Sequence, residues 1–131
     1  MARRMTRGLG WTIGIALALV CARVSVAWAH ARLTRAEPAA GAHTPAAPTR
    51  LRLWFSEEPE VLFSRLSLSD STGHTVKLGA IERGETRLEI RAKIDEPVRA
   101  GRYTVNWRTA GSDGHPTSGA FVFIVDAPAR K

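Results

Sequence analysis

His30 and the tripeptide Asp113-Gly114-His115 are the residues of this chain best suited to hold a metal ion. An aspartate and a histidine one residue apart on a short loop can aim a carboxylate and an imidazole at one point. Taken alone, the tripeptide is better explained as a turn capped by Asp113, with His115 a surface histidine. The balance changes at the other end of the chain. Residues 27–30 read Ala27-Trp28-Ala29-His30, and what precedes them has the layout of a secretory signal. Arg3, Arg4 and Arg7 form a cationic start, Trp11 to Val20 a short apolar core, and Ala27-x-Ala29 supplies the small residues signal peptidase requires. Cleavage after Ala29 makes His30 the first residue. A histidine with a free α-amine offers that amine and its ring Nδ1 to the same ion, closing a chelate. Amine, imidazole and carboxylate donors suit Cu(II), which favours nitrogen and oxygen in a tetragonal plane and tops the divalent affinity order. Zinc can use the same donors, but the amine-imidazole chelate favours copper.

Other candidates are weaker. Glu57, Glu58 and Glu60 follow a strand-like segment, and one of them could supply an outer or axial carboxylate; a solvated acidic loop end is the commoner arrangement. His43, in a Pro/Ala-rich segment, and His74, in a glycine turn, are expected at the surface. Trp54 and Trp107 read as core or strand-face residues. The chain has no glycine-rich phosphate loop, no serine elbow and no Ser/His/Asp set in a recognisable context. Cys21 is the only cysteine and lies inside the signal, where Val20 and Ala18 stand in place of the small residue and leucine of a lipoprotein signal. The segment from His30 on therefore has no disulfide, no thiolate metal site and no cysteine nucleophile. After Arg3-Arg4, Met5-Thr6-Arg7 lacks the apolar pair of a twin-arginine signal, so ordinary export is expected.

The elements that must position these donors are strands. Leu51, Leu53 and Phe55 alternate within 50–55, Leu66 and Leu68 within 64–69, Leu88 and Ile90 within 87–92, and Tyr103, Val105 and Trp107 within 102–109. Residues 120–125 are apolar on both faces, and a first strand is expected over 31–34. Turn residues separate them: 70–73, 83–85, 95–97 and 110–114. Many short strands and no helical stripe predict an all-β sandwich or Greek-key barrel. The Ala/Pro-rich stretch 37–49 is expected to run extended. Removing 1–29 leaves 102 of the 131 residues, a size for one domain with one core. The formal charge of +7 falls to +3 once the four arginines of 1–29 are gone, and the remaining basic residues are interleaved with acids. That excludes nucleic acid as a natural partner. The apolar run of the signal is about ten residues, short of the ~20 that cross a bilayer, so no stable membrane insertion is expected.

Five pieces in order resemble the CopC family of periplasmic copper-binding proteins. They are His30-Ala31-Arg32-Leu33 with Glu37-Pro38-Ala39-Ala40-Gly41; Leu53-Trp54-Phe55-Ser56-Glu57; Gly101 to Arg108; Ser112-Asp113-Gly114-His115-Pro116; and Gly119 with Phe121-Val122-Phe123. The resemblance implies an immunoglobulin-like Greek-key β-sandwich over 30–131, cupredoxin-like in look, with one Cu(II) in a type 2 site. It carries over the α-amine and Nδ1 of His30, the imidazole of His115 and the carboxylate of Asp113, with Glu57 aligned to an acid near that site. It also implies a periplasmic location and a CopD-like inner-membrane copper transporter as partner; a monomer is expected. Some members add a methionine-rich Cu(I) site. Here the only methionines are Met1 and Met5, so a Cu(II)-only protein is expected. Two other classes compete with a non-enzymatic copper carrier: an oxidative copper enzyme built on the same amino-terminal histidine chelate, and a metal-free β-sandwich interaction module.

Overall fold

A computed structural model describes residues 30–129. The expected signal segment 1–29 lies outside them. Nine strands form two sheets: β1 (Leu33–Glu37), β2 (His43–Thr44), β3 (Arg50–Phe55), β4 (Arg65–Asp70), β5 (Thr75–Val76), β6 (Leu78–Arg83), β7 (Glu89–Ile94), β8 (Gly101–Ala110) and β9 (Pro116–Val125). One sheet runs β1-β3-β7-β6 and the other β2-β9-β8-β4-β5. The only helical turn among the described residues is a 3-10 turn at Val61–Phe63. No helix among them is long and apolar enough to cross a membrane.

The alternation read from the sequence sets the core. Leu51, Leu53 and Phe55 of β3, Ile90, Ala92 and Ile94 of β7, Leu68 of β4, Tyr103 and Val105 of β8, and Phe121, Phe123 and Val125 of β9 are all buried. Leu66 is only half-buried. Period-two spacing puts these side chains on the inner faces of both sheets, where their burial drives the packing. Tyr103 stacks on Phe123 at 5.6 Å, and its hydroxyl exchanges hydrogen bonds with the backbone of Arg99, accepting at 3.1 Å and donating at 3.0 Å. That satisfies the one polar atom this ring takes inside. Trp107 packs edge-on against Phe55 at 5.3 Å and lies over Gly119, its partner across the β8–β9 ladder. A Cβ at 119 would fall 2.7 Å from the indole.

Several boundaries differ from the sequence reading. The first strand is Leu33–Glu37 instead of 31–34, because its ladder to β3 resumes beyond a bulge and runs on to Glu37. The stretch 37–49 is not uniformly extended. It turns at 40–41, and β2 then pairs in parallel with the end of β9, covering that edge. β6 had no counterpart in the expected strands. β9 begins four residues early, since Thr117, Ser118 and Gly119 continue the ladder to β8 without large apolar side chains.

Candidate metal centre

All four residues expected to supply donors, His30, Glu57, Asp113 and His115, lie at the end of the sandwich where β3 and β8 finish and β9 begins. Its loop is built by local chemistry. The N–H of Gly114 donates to the carbonyl of Gly111 at 3.0 Å, closing a turn, and Gly114 takes φ +76°, a left-handed conformation that glycine adopts without cost. Asp113 Oδ1 accepts the N–H of His115 at 3.0 Å, and Oδ2 lies 3.2 Å from His115 Nδ1. The turn-cap role expected of Asp113 is thus the one this loop displays. The His115 N–H bond, more than any other influence, holds the Asp113 carboxyl below its ordinary pKa, with smaller help from the His115 ring and from His30.

His30 reaches the same place from the far end of the sequence. Its ring stands edge-on to that of His115, centroids 5.6 Å apart and planes at 76°. The approach is enforced by neighbours. Ala31 is fully buried and its carbonyl accepts the hydroxyl of Thr117 at 2.7 Å. Arg32 pairs its backbone with Ser56, N–H to Oγ at 2.9 Å and carbonyl to N–H at 2.8 Å. Ser56 Oγ also donates to the His30 carbonyl at 3.4 Å. The chain at 30–32 is therefore tied to the end of β3 and the start of β9.

Glu57 stands at the same end. A Cβ at position 111 would lie 2.9 Å from Glu57 Oε2 and 3.5 Å from Asp113 Oδ1, so the lack of a side chain at Gly111 makes room for the Glu57 carboxylate beside the loop. Ser56, Thr117 and Gly111 were not singled out from sequence. Each acts through a partner far away in the chain, and only the turn character of Gly111 was visible.

Donor spacing fits a common ion in part. With metal–nitrogen bonds of about 2 Å, two imidazoles on one ion place their centroids roughly 4.5 to 6 Å apart, and the observed separation falls in that interval. Yet among the described residues no three His, Cys, Asp or Glu side chains are gathered closely enough to hold an ion as they stand. In the uncleaved chain the backbone nitrogen of His30 is a peptide amide, which cannot serve as the amine arm of a chelate.

The remaining candidates sit elsewhere. His43 is exposed and faces Asp126 at 2.8 Å; His74 is exposed and 3.6 Å from Glu96. Glu58 pairs with Arg83 at 3.4 Å, and the backbone N–H of Glu60 donates to the carbonyl of Ala110 at 2.9 Å. Trp54 is a strand-face residue, beneath the guanidinium of Arg35 at 4.4 Å and that of Arg52 at 4.7 Å.

Residues 33–126 match the family model described as the CopC domain. The chain is 35% identical over 99 residues to Protein YobA of Escherichia coli K12, spanning 75% of this chain and 80% of that one. It is 32% identical over 108 residues to copper resistance protein C of Pseudomonas syringae pv. tomato, spanning 77% and 84%. Among solved structures, CopC from Methylosinus trichosporium OB3b superposes with a TM-score of 0.70 at 33% identity, covering 78% of this chain and 99% of its own. PcoC, a methionine-rich copper resistance protein from Escherichia coli, gives 0.68 at 33% identity, covering 75% and 100%. Sequence and fold agree over the whole described sandwich, and this chain belongs to the CopC family.

Proposed function

We propose that the exported, processed protein binds one Cu(II) as cargo in the periplasm, buffers it, and passes it to a CopD-like transporter of the inner membrane. The donors are the α-amine and ring of His30, the imidazole of His115 and the carboxylate of Asp113, with Glu57 as an outer carboxylate. The observation that carries this reading is the approach of His30 to His115 at 5.6 Å, across 85 residues of sequence and at the end of a rigid sandwich. An imidazole that faces a carboxylate through Nδ1 presents Nε2 to a metal. Asp113 orients His115 in this way, and its carboxylate must turn from Nδ1 to offer oxygen to the same ion. Freeing the His30 amine supplies the donor that the uncleaved chain lacks, and His30 and the Asp113 carboxylate must both move to complete the set. Affinity falls in acid because protons compete for the amine and both imidazoles.

The two methionines of the chain both lie within the first five residues. No thioether is left to the processed protein for a Cu(I) site, in contrast to the methionine-rich PcoC. The reading is tested by titrating the chain that begins at His30 with Cu(II), followed by EPR and thermal melting. One tight equivalent with a type 2, nitrogen-coupled signal is expected, and a melting temperature that rises with copper concentration by linkage. Absence of both would reject it. Oxygen consumption with ascorbate and a polysaccharide, absent in a carrier, would instead indicate an oxidative enzyme.

A further inference from the structure

Beside the candidate metal loop, the 3-10 turn Val61–Phe63 presents the only two large hydrophobic side chains that are exposed among the described residues, Leu62 at 84% and Phe63 at 66%. The turn is bolted in place. Ser64 is buried; its hydroxyl donates to the Glu60 carbonyl at 2.8 Å and lies 2.8 Å from the hydroxyl of Thr109, which is also buried. The Glu60 N–H donates to the carbonyl of Ala110, and Arg65 donates to the carbonyls of Leu62 and Ser64. A rigidly held, exposed apolar pair loses little entropy when it is covered, a property of interaction sites.

Phe63 forms one wall of a groove of about 400 Å³, and Gly114 and Pro116, which flank His115, form the other. Arg65 and Arg108 line the same groove and face each other directly across the β4–β8 ladder. Like charges in that register repel, and among the described residues neither arginine has a carboxylate partner in ion-pair contact. An apolar wall over two unneutralised guanidinium groups is complementary to a segment that carries an apolar side chain next to carboxylates.

We infer that this groove docks an acidic segment of a partner protein, with an apolar side chain against Phe63 and Pro116 and carboxylates on Arg65 and Arg108. That the partner is the copper acceptor rests on the function proposed above, because a protein seated here lies against the loop that carries Asp113 and His115. The concave groove suits a side chain of a protein segment better than a flat lipid surface, and its two arginines together with the net +3 charge of residues 30–131 disfavour a second copy of the chain.

The experiment is a 15N NMR titration of the chain beginning at His30 with a short peptide of alternating glutamate and leucine, and with its lysine-leucine counterpart. Salt-sensitive shifts confined to residues 61–65, 108–110, 114 and 115 with the acidic peptide alone are expected. Affinity should fall about tenfold or more in Arg108→Glu, and also in Phe63→Ser. Both variants change exposed side chains and should bind copper as the parent does. Equal response to both peptides, no response, or shifts elsewhere would overturn the docking site, as would concentration-dependent self-association or binding to phosphatidylglycerol vesicles through this face. Copper binding by the same samples separates the two claims: loss of peptide binding with copper binding intact removes the docking site alone, whereas absent copper binding removes the proposed cargo.

Discussion

One extra residue placed before His30 should weaken Cu(II) binding by well over the roughly 10–100-fold that loss of an outer-shell partner costs a metal site. The extension converts the His30 amine to a peptide amide, which at neutral pH carries a hydrogen and offers no lone pair. The imidazole of His30 then binds without its chelate partner. The rest of the site is untouched, because 30–32 remain held through Ala31, Arg32, Ser56 and Thr117. Parallel titrations of the chain beginning at His30 and of the same chain with an added methionine measure the effect. Unchanged melting temperatures of the two metal-free proteins would confirm that the chelate, not the fold, was lost. Equal affinities would show that the amine contributes nothing.

Replacing Glu89 with alanine should destabilise the metal-free domain by about 3 kcal/mol, the lower end of what breaking a buried ion pair costs. Glu89 has no exposure at all. Its Oε1 accepts Arg52 Nε–H at 2.6 Å, and its Oε2 accepts the N–H of Glu85 at 3.0 Å. Truncation strands a half-buried guanidinium, partly consoled by Glu37 at 3.3 Å and Glu85 at 3.6 Å, hence the lower end of the range. A domain of this size loses about 4–8 °C of Tm per kcal/mol, so thermal unfolding reads the change easily.

The same group makes a pH prediction. The hydrogen bond from Arg52, foremost, holds the Glu89 carboxyl below its ordinary pKa against the opposing effect of burial. A depressed carboxyl contributes stability that is complete above its unfolded-state pKa, about 4.3, and is lost as pH falls through the lower folded value. Glu89→Gln should flatten the acid limb of the stability curve below about pH 4.3. An acid limb as steep as that of the parent would contradict the assignment. Gly84 belongs to this arrangement, since a Cβ there would fall 2.1 Å from the Glu89 Cδ.

Glu89 also marks where sequence reading stops. The alternation of β3, β4 and β8 announced the inner faces correctly because large apolar residues recur there every second position, whereas 120–125, apolar on both faces, did not tell which side of β9 turns inward. In β7 the same pattern located Ile90, but it paired it with Leu88, which is half-buried in the turn before the strand, and it assigned Glu89 no special place. Only Arg52 on the neighbouring strand explains a buried carboxylate, and a cross-strand partner has no local signature. β6 escaped because Gly79 and Ala80 interrupt any apolar rhythm, and the ladder to β7 shifts between Leu78 and Ile81. The start of β9 escaped because Thr117, Ser118 and Gly119 pair by backbone, with Gly119 small to admit Trp107.

The candidate site was more legible than the framework around it. Asp113-Gly114-His115 is a local motif whose turn needs glycine, and His30 was distinguished by the processing signal before it. The supports from Ser56, Thr117 and Gly111 arise where three strand ends meet, so residue types alone did not announce them. The same holds for the rigid display of Leu62 and Phe63, which depends on the buried hydrogen bond between Ser64 and Thr109 of β8 and on that from Glu60 to Ala110.

The most direct test of a single copper shared by the two ends of the chain is electron spin-echo spectroscopy of the one-equivalent Cu(II) complex of the chain beginning at His30, with His115→Ala beside it. Modulation from the remote nitrogens of two imidazoles in the parent, reduced to one in His115→Ala, is the predicted result. An identical pattern in both proteins would contradict a centre formed by His30 and His115 together.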